Sequence, residues 1–272
     1  MIKNLIKLTF IFIMALSIAA PGFALGKDHI DMDHSKEGIY IFKINTKKIG
    51  RKIKPYVAQS LTTTSDIYKN NENFALVVNG GFFDILTGAP VSYVKIDKKT
   101  VETPFSNQKL IENAGKSGRL EAILNRAEFR ILENKKGELL FDMTGHFVPP
   151  TEGYTIKHSL QGGPLIYPNM NLEDESFVIM QGGKVKFQAA DVLKRRERTA
   201  LALKNDILYI IIFTNQHKVT MSELKEFCKN LKVDKAMALD GGASTSLNYR
   251  NIEIYSSLTS QRRVKSFLVI EK

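Results

Sequence analysis

Cys228 is the only cysteine in this 272-residue chain. A disulfide scaffold is therefore excluded, and the fold must be held by packing alone. Cys228 lies in a helical pattern and reads as a small buried hydrophobe. Long apolar runs are missing too: the run Leu8 to Ile18 has eleven residues, against the ~20 that a membrane-spanning helix needs. No proline-rich or serine-rich linker divides the chain, so a single domain is the simplest organisation.

Several chemistries are excluded by what does not accompany their motifs. "GASTS" at Gly242 to Ser246 imitates a nucleophile elbow, but Ser246 replaces the second glycine and no histidine follows Ser244. The Ser…Asp…His order of an α/β-hydrolase cannot be completed. Cys228 likewise has no downstream histidine, which argues against a papain-like pair. "GKS" at Gly115 to Ser117 would need a glycine where Leu110 stands to be a phosphate loop. The five histidines, His29, His34, His146, His158 and His217, lack metal-ligand spacing outside one weak N-terminal cluster. No nucleic-acid motif accompanies the positive charge.

The N-terminus carries Lys3 and Lys7, then the apolar run, then small residues Gly22 and Ala24 at the −3 and −1 positions of a cleavage site. These are the parts of a secretory signal peptide over residues 1–24. Export follows as an expectation, to a periplasm or the exterior, with no integral membrane segment after cleavage. The remaining 248 residues keep 37 Lys and Arg against 28 Asp and Glu, a formal +9. Such a surface suits anionic partners, in an exported protein phosphate-bearing polymers or lipid headgroups rather than nucleic acid. Residues 25–37 include Asp28, His29, Asp31, Asp33 and His34, which could hold a divalent cation weakly but read as a mobile tail.

Residues 38–272 read as one α+β domain with a mixed, largely antiparallel β core and a few flanking helices. Gly38 to Lys48 alternates as a half-buried strand. Leu61 to Asn71 reads as a short helix with Thr63 or Thr64 as N-cap, followed by the strand "FALVV" and, after a turn, "PVSYVKI". "RLEAILN", "EFRILEN" and "ELLFDM" between Gly118 and Met143 suggest an antiparallel meander. "GPLIYP" is another strand candidate, and Gly182-Gly183 marks a tight hairpin. "TALAL" and "ILYIIIFT" form a hairpin whose second arm is apolar enough to be central. Thr220 and Glu223 make a capping box for a helix with Met221, Leu224, Phe227, Cys228 and Leu231 at helical spacing. "KAMAL" and "VKSFLVI" complete the strands.

Four polar, glycine-rich junctions stand at strand ends: "NGGFFD" (Asn79 to Asp84), "QGGPLI" (Gln161 to Ile166), "RRERTAL" (Arg195 to Leu201) and "LDGGASTS" (Leu239 to Ser246). Glycine pairs let a backbone turn sharply and come close to a ligand, and their N–H groups can serve anions. Taken together and in this order, the four resemble the phosphodiester glycosidase family, with its run of N-G-G-F-F, G-G-P, R-T-A and L-D-G-G-[GA]-S. The family's R-[NP]-x-R-T-A is altered here to "RRERTA", with Arg196 and Glu197 at the two positions before Arg198.

The resemblance implies hydrolysis of a glycosyl phosphodiester at the anomeric carbon. That chemistry needs an anion site for the departing phosphate. It needs no strong general acid, so one carboxylate that activates water or stabilises an oxocarbenium-like centre suffices. Asp240 is the first candidate and Asp84 the second, with Arg198 as the phosphate fork. Gly80, Gly81, Gly162, Gly163, Gly241 and Gly242 would bring the backbone to the substrate, the amides of the first and last pairs as added donors. Asn79, Thr199 and Ser244 would orient sugar hydroxyls or phosphate oxygens. Phe82 or Phe83 could face a sugar ring, one of them being core. Glu197 is expected to pair with an arginine at the surface. No cofactor is demanded, though Asp84 and Asp240 form a candidate pair for a divalent cation. The competing readings are a non-catalytic envelope or exopolysaccharide-assembly module that binds phosphorylated glycans, and a metal phosphodiesterase cutting the other ester bond.

Overall fold

The computed structural model describes residues 29–256 and 260–272; the expected signal peptide, 1–24, lies outside the described residues. The chain begins with β1 (Ile30–Lys36), paired antiparallel with β2 (Ile39–Asn45). Of the tail expected over residues 25–37, Ile30–Lys36 is thus a strand, and residues 25–28 lie outside the described residues. Ile30 is buried and Met32 packs against the core, so the alternation inside "IDMDH" belongs to a strand with one covered face. A one-turn helix, α1 (Thr46–Ile49), capped by the Asn45 side chain, leads to β3 (Ile53–Thr62). Thr63 then caps α2 (Thr64–Lys69) by accepting from the Asp66 N–H, and β4 (Phe74–Asn79) is buried along its whole length.

After the NGG junction come short β5 (Val94–Ile96) and β6 (Lys99–Glu102), then α3 (Gln108–Lys116) and α4 (Leu120–Leu124). "RLEAILN" is thus helical rather than the first arm of a meander. Its apolar residues Leu120, Ile123 and Leu124 repeat at three and four, which a helix can bury on one face and a strand cannot. The expected meander starts at β7 (Ala127–Asn134), which pairs with β8 (Leu139–Gly145), and then with β9 (Tyr154–Gln161). β10 (Leu165–Tyr167) follows, then the hairpin of β11 (Val178–Gln181) and β12 (Lys184–Gln188), turning at Gly182 and Gly183, both with positive φ. β13 (Arg198–Lys204) and β14 (Ile207–Phe213) make the expected central hairpin. α5 (Met221–Asn230) carries the capping box, and β15 (Lys235–Ala238), β16 (Ser246–Tyr249), β17 (Ile252–Tyr255) and β18 (Val264–Glu271) close the fold.

The strands form three larger sheets besides the β11–β12 hairpin. They are six-stranded β1-β2-β14-β13-β15-β10, five-stranded β17-β16-β4-β18-β3 and five-stranded β6-β5-β9-β7-β8. One core lies between them: Leu201 and Leu203, Ile210 and Ile212, Leu76 and Val78, Leu268 and Ile270, and Phe129 and Ile131 meet there. The alternate residues of the six-stranded sheet form a second core with α5. Ala200, Ala202, Ala236 and Ala238 occur on this face, opposite Met221, Leu224 and Cys228. Alanines let the helix sit close to the sheet, and burial pushes the Cys228 thiol up to about 12, an inert packing group. Val77, Phe267 and Val269 make a third core beside Ile67 of α2.

Candidate active site

The four glycine-rich junctions meet at one pole of the molecule, where β4 and β15 end and where β13, β16 and β18 begin. Antiparallel pairing brings these ends together: Ala200 is opposite Ala238, Leu247 opposite Val78 and Phe267 opposite Asn79. Main-chain bonds knit the junctions further. Asp240 N donates to Gly80 O at 3.0 Å, Leu239 N to Thr199 O at 2.9 Å, Gly163 N to Ala238 O at 2.8 Å and Gly242 N to Glu197 O at 2.8 Å.

Asn79 is the polar centre of this assembly and is fully buried. Its Nδ2 donates to the Asp240 carbonyl at 2.7 Å; its Oδ1 accepts from Thr199 Oγ1 at 2.8 Å and from Ser246 N at 3.1 Å. Asn79 and Thr199, expected to touch substrate, are thus engaged with each other and with the backbone that carries Asp240. Their geometry is that of positioning residues.

Asp240 is half-buried at the mouth of this node. Its Oδ1 accepts from Gly241 N at 2.9 Å, and Ser244 also bonds its carboxyl. Burial pushes the group up to about 6, against the lowering effect of those bonds and of the Arg262 charge. A carboxyl poised there can exchange a proton near neutral pH.

The glycines serve close packing. A Cβ on Gly81 would lie 2.2 Å from Gln161 O, and one on Gly80 would lie 2.7 Å from Ser266 O. One on Gly162 would lie 2.7 Å from Ala238 O, and one on Gly163, where φ is +104°, 2.6 Å from Glu175 Oε2. The amides expected as anion donors have partners inside the protein: Gly80 N on Ser266 O at 2.7 Å, Gly81 N on Ser266 Oγ at 3.1 Å, with Gly241 N on Asp240 and Gly242 N on Glu197 as above.

The arginines divide differently from the sequence expectation. Arg198 is buried, and its guanidinium donates to three main-chain carbonyls: Lys194 O at 2.7 Å, Asp191 O at 2.9 Å and Val219 O at 3.3 Å. Burial, reinforced by the nearby Arg196 charge, pulls it down to about 10. It ties the loop before β13 to the segment before α5. Arg196 instead lies over Gly242, where a Cβ would stand 3.2 Å from its Nη2. The Arg196 side chain keeps 39% of its surface exposed, with Asp191 at 3.6 Å and Glu197 at 3.9 Å. Glu197 is buried rather than superficial, and Lys218 is its closer ion-pair partner at 3.3 Å.

Asp84 lies in the loop after the NGG turn. Its Oδ1 accepts from Leu86 N at 2.9 Å and Thr87 N at 3.0 Å, and these main-chain bonds hold its carboxyl below the usual range. Among the described residues no group of three or more His, Cys, Asp or Glu could hold a metal ion. Phe83 belongs to the third core, while Phe82 is half-buried against Phe177, with the Arg126 guanidinium 5.6 Å from its ring. Sequence reasoning passed over Ser266, whose backbone and hydroxyl receive both NGG amides, and Arg262 beside Asp240. The signal for Ser266 was a lone hydroxyl inside "VKSFLVI"; for Arg262 there was none.

An α+β scaffold that brings a half-buried carboxyl and a solvent-facing guanidinium together at converging strand ends is a candidate enzyme site for an anionic substrate. The chain belongs to the phosphodiester glycosidase family, whose model matches residues 72–271. Among solved structures it is similar to the catalytic domain of zebrafish N-acetylglucosamine-1-phosphodiester alpha-N-acetylglucosaminidase, auto-inhibited by its pro-peptide. That likeness has a TM-score of 0.60 at 16% identity, over 89% of this chain and 81% of that one. A hypothetical protein from Synechocystis gives 0.59 at 14% identity; it aligns with 89% of this chain, which spans 61% of its length. A protein described as exported from Burkholderia pseudomallei gives 0.57 at 11% identity, over 85% and 73%. At these identities the likenesses concern the fold. No curated protein matches the chain in sequence.

Proposed function

We propose that this protein is an exported hydrolase that cleaves a glycosyl phosphodiester at the anomeric carbon and releases a sugar from a phosphate-linked glycan. The observation that carries the reading is the Asp240 carboxyl, lifted to about 6 by burial and held at the meeting point of all four family junctions. Family membership supports a glycosidase-type hydrolase acting on phosphodiesters.

In this reaction a water oxygen bonds to the anomeric carbon while the bond from that carbon to the ester oxygen breaks. The electron pair leaves with the phosphate, and ionised Asp240 takes the water's proton. The products are the free sugar and a phosphomonoester. Arg196 replaces Arg198 in the phosphate role, because its guanidinium reaches solvent over Gly242 whereas that of Arg198 is bound to carbonyls. Ser244 keeps the Asp240 carboxyl oriented.

The test supplies the mature protein with sugar-1-phosphate diesters and separates free sugar from sugar phosphate. Free sugar is expected, insensitive to chelator and lost in Asp240→Asn. Release of the sugar still phosphorylated, with loss on chelation, would establish the metal phosphodiesterase instead. Binding without turnover by the unsubstituted protein would establish the non-catalytic module.

A further inference from the structure

At the pole opposite Asp240, two cavities adjoin across one strip of chain. A cavity of about 810 Å³ lies between α1 and the β7–β8 hairpin and reaches the β13–β14 turn at Asn205 and Asp206. A second, of about 580 Å³, opens beside it near the start of β4 and the end of β18. Both are lined by Lys48, Ile49 and Lys52. The seven residues of β13, at ~3.3 Å each, put roughly 20 Å between this pole and the candidate active site.

The chemistry of this pole is uneven. Lys136 adds positive charge to the larger cavity and Arg250 to the smaller, while Lys47 and Arg51 of the larger one are ion-paired with Asp206 and Glu133. The acids present are already engaged: Asp206 with Lys47 at 2.7 Å, Glu271 with Lys54 at 2.6 Å, and Glu138 with the Asn134 amide at 2.6 Å. Among the described residues Lys48, Lys52 and Lys136 have no acidic partner within 4.0 Å, and all three are exposed. Between these cations the larger cavity has an apolar lining, Leu139, Leu140 and Phe141, with the Phe141 ring against Gly50. Cations and apolar side chains lining one cavity match a chain that alternates sugar rings with charged groups. A bilayer would instead ask for apolar side chains projecting beyond the cations.

We propose that this pole is a second binding face for an anionic glycan polymer with phosphate in its repeat, gripped along Lys48 and Lys52 while Asp240 stays free at the other end. The face is independent of turnover, so it is tested in an Asp240→Asn background as well as in the intact protein.

The experiment measures binding of a soluble polysaccharide with glycosyl phosphate repeats, with neutral dextran and vesicles of anionic and zwitterionic phospholipid as comparators. The polymer is expected to bind in both backgrounds and to weaken with added salt. Charge reversal in Lys48→Glu/Lys52→Glu should weaken it ~10-fold or more, and Lys48→Gln/Lys52→Gln by less. Thermal melting confirms that both variants are folded, and turnover of a short sugar phosphodiester should be unchanged. Undiminished polymer binding by the folded double variants overturns the proposal. So does binding of anionic vesicles but not of polymer. Polymer binding without any hydrolysis by the intact protein would leave this face standing and remove only the enzymatic reading.

Discussion

Asn79 Nδ2 donates to the main-chain oxygen of Asp240 at 2.7 Å, while Asn79 Oδ1 gathers the Thr199 hydroxyl and the Ser246 amide. One buried amide therefore fixes the backbone from which the candidate carboxylate projects. Asn79→Ala would strand three buried polar groups, at ~1–3 kcal/mol for each one left unsatisfied. Urea unfolding should show a loss of several kcal/mol, and activity should fall even where the variant remains folded.

The elevated Asp240 carboxyl has opposite consequences for activity and stability. With the group at about 6 in the folded state and at the ordinary aspartate value of 3.8 in the unfolded chain, the folded protein binds the extra proton between these values. Stability is thus lost as pH rises from about 4 through about 6, while the ionised form that the proposed reaction needs grows. Rates should climb to a plateau with a midpoint near 6. Asp240→Asn should abolish activity yet melt a few degrees higher at pH 8, a gain of ~1–2 kcal/mol after allowance for solvent screening, and match the unsubstituted protein at pH 4.

Arg196 and Arg198 should separate cleanly. Arg196→Ala removes a half-exposed cation and should change stability by less than ~1 kcal/mol, with a ~100-fold or greater fall in hydrolysis. Arg198→Ala removes the donor to three carbonyls and should cost ~2–4 kcal/mol. Denaturant midpoints beside kcat/KM for both variants check the division; a fully active, stable Arg196→Ala would refute it.

Gly81→Ala should fail to fold, because its new methyl would stand 2.2 Å from a main-chain oxygen. Gly182→Ala, at φ +58° in an open turn with nothing within 4 Å, should cost only ~1 kcal/mol. Soluble expression and thermal melting distinguish them.

What could be read in the sequence was what local physics writes there. The Thr63 cap, the Thr220–Glu223 box and the β13–β14 hairpin depend on neighbours within a few positions, and each is found as expected. The four junctions were visible as glycine pairs beside polar residues. Their partners were not, because the atoms that occupy the Gly80 and Gly81 amides come from Ser266, and the one that occupies Gly242 comes from Glu197. The direction of Arg198 is hidden for the same reason: only tertiary structure sends its side chain inward to Asp191, Lys194 and Val219. β1 was hidden by the acidic residues of its uncovered face, and α4 by a stretch too short for its period to stand out.

The three groups that Asn79 gathers are 120, 161 and 167 positions away along the chain. Closing loops of that length is entropically costly and contributes to a high contact order. The Asn79 node therefore cannot exist in a fragment or in a chain that has ordered only one sheet. The proposed activity should appear and vanish together with global cooperativity, making it a probe of complete folding.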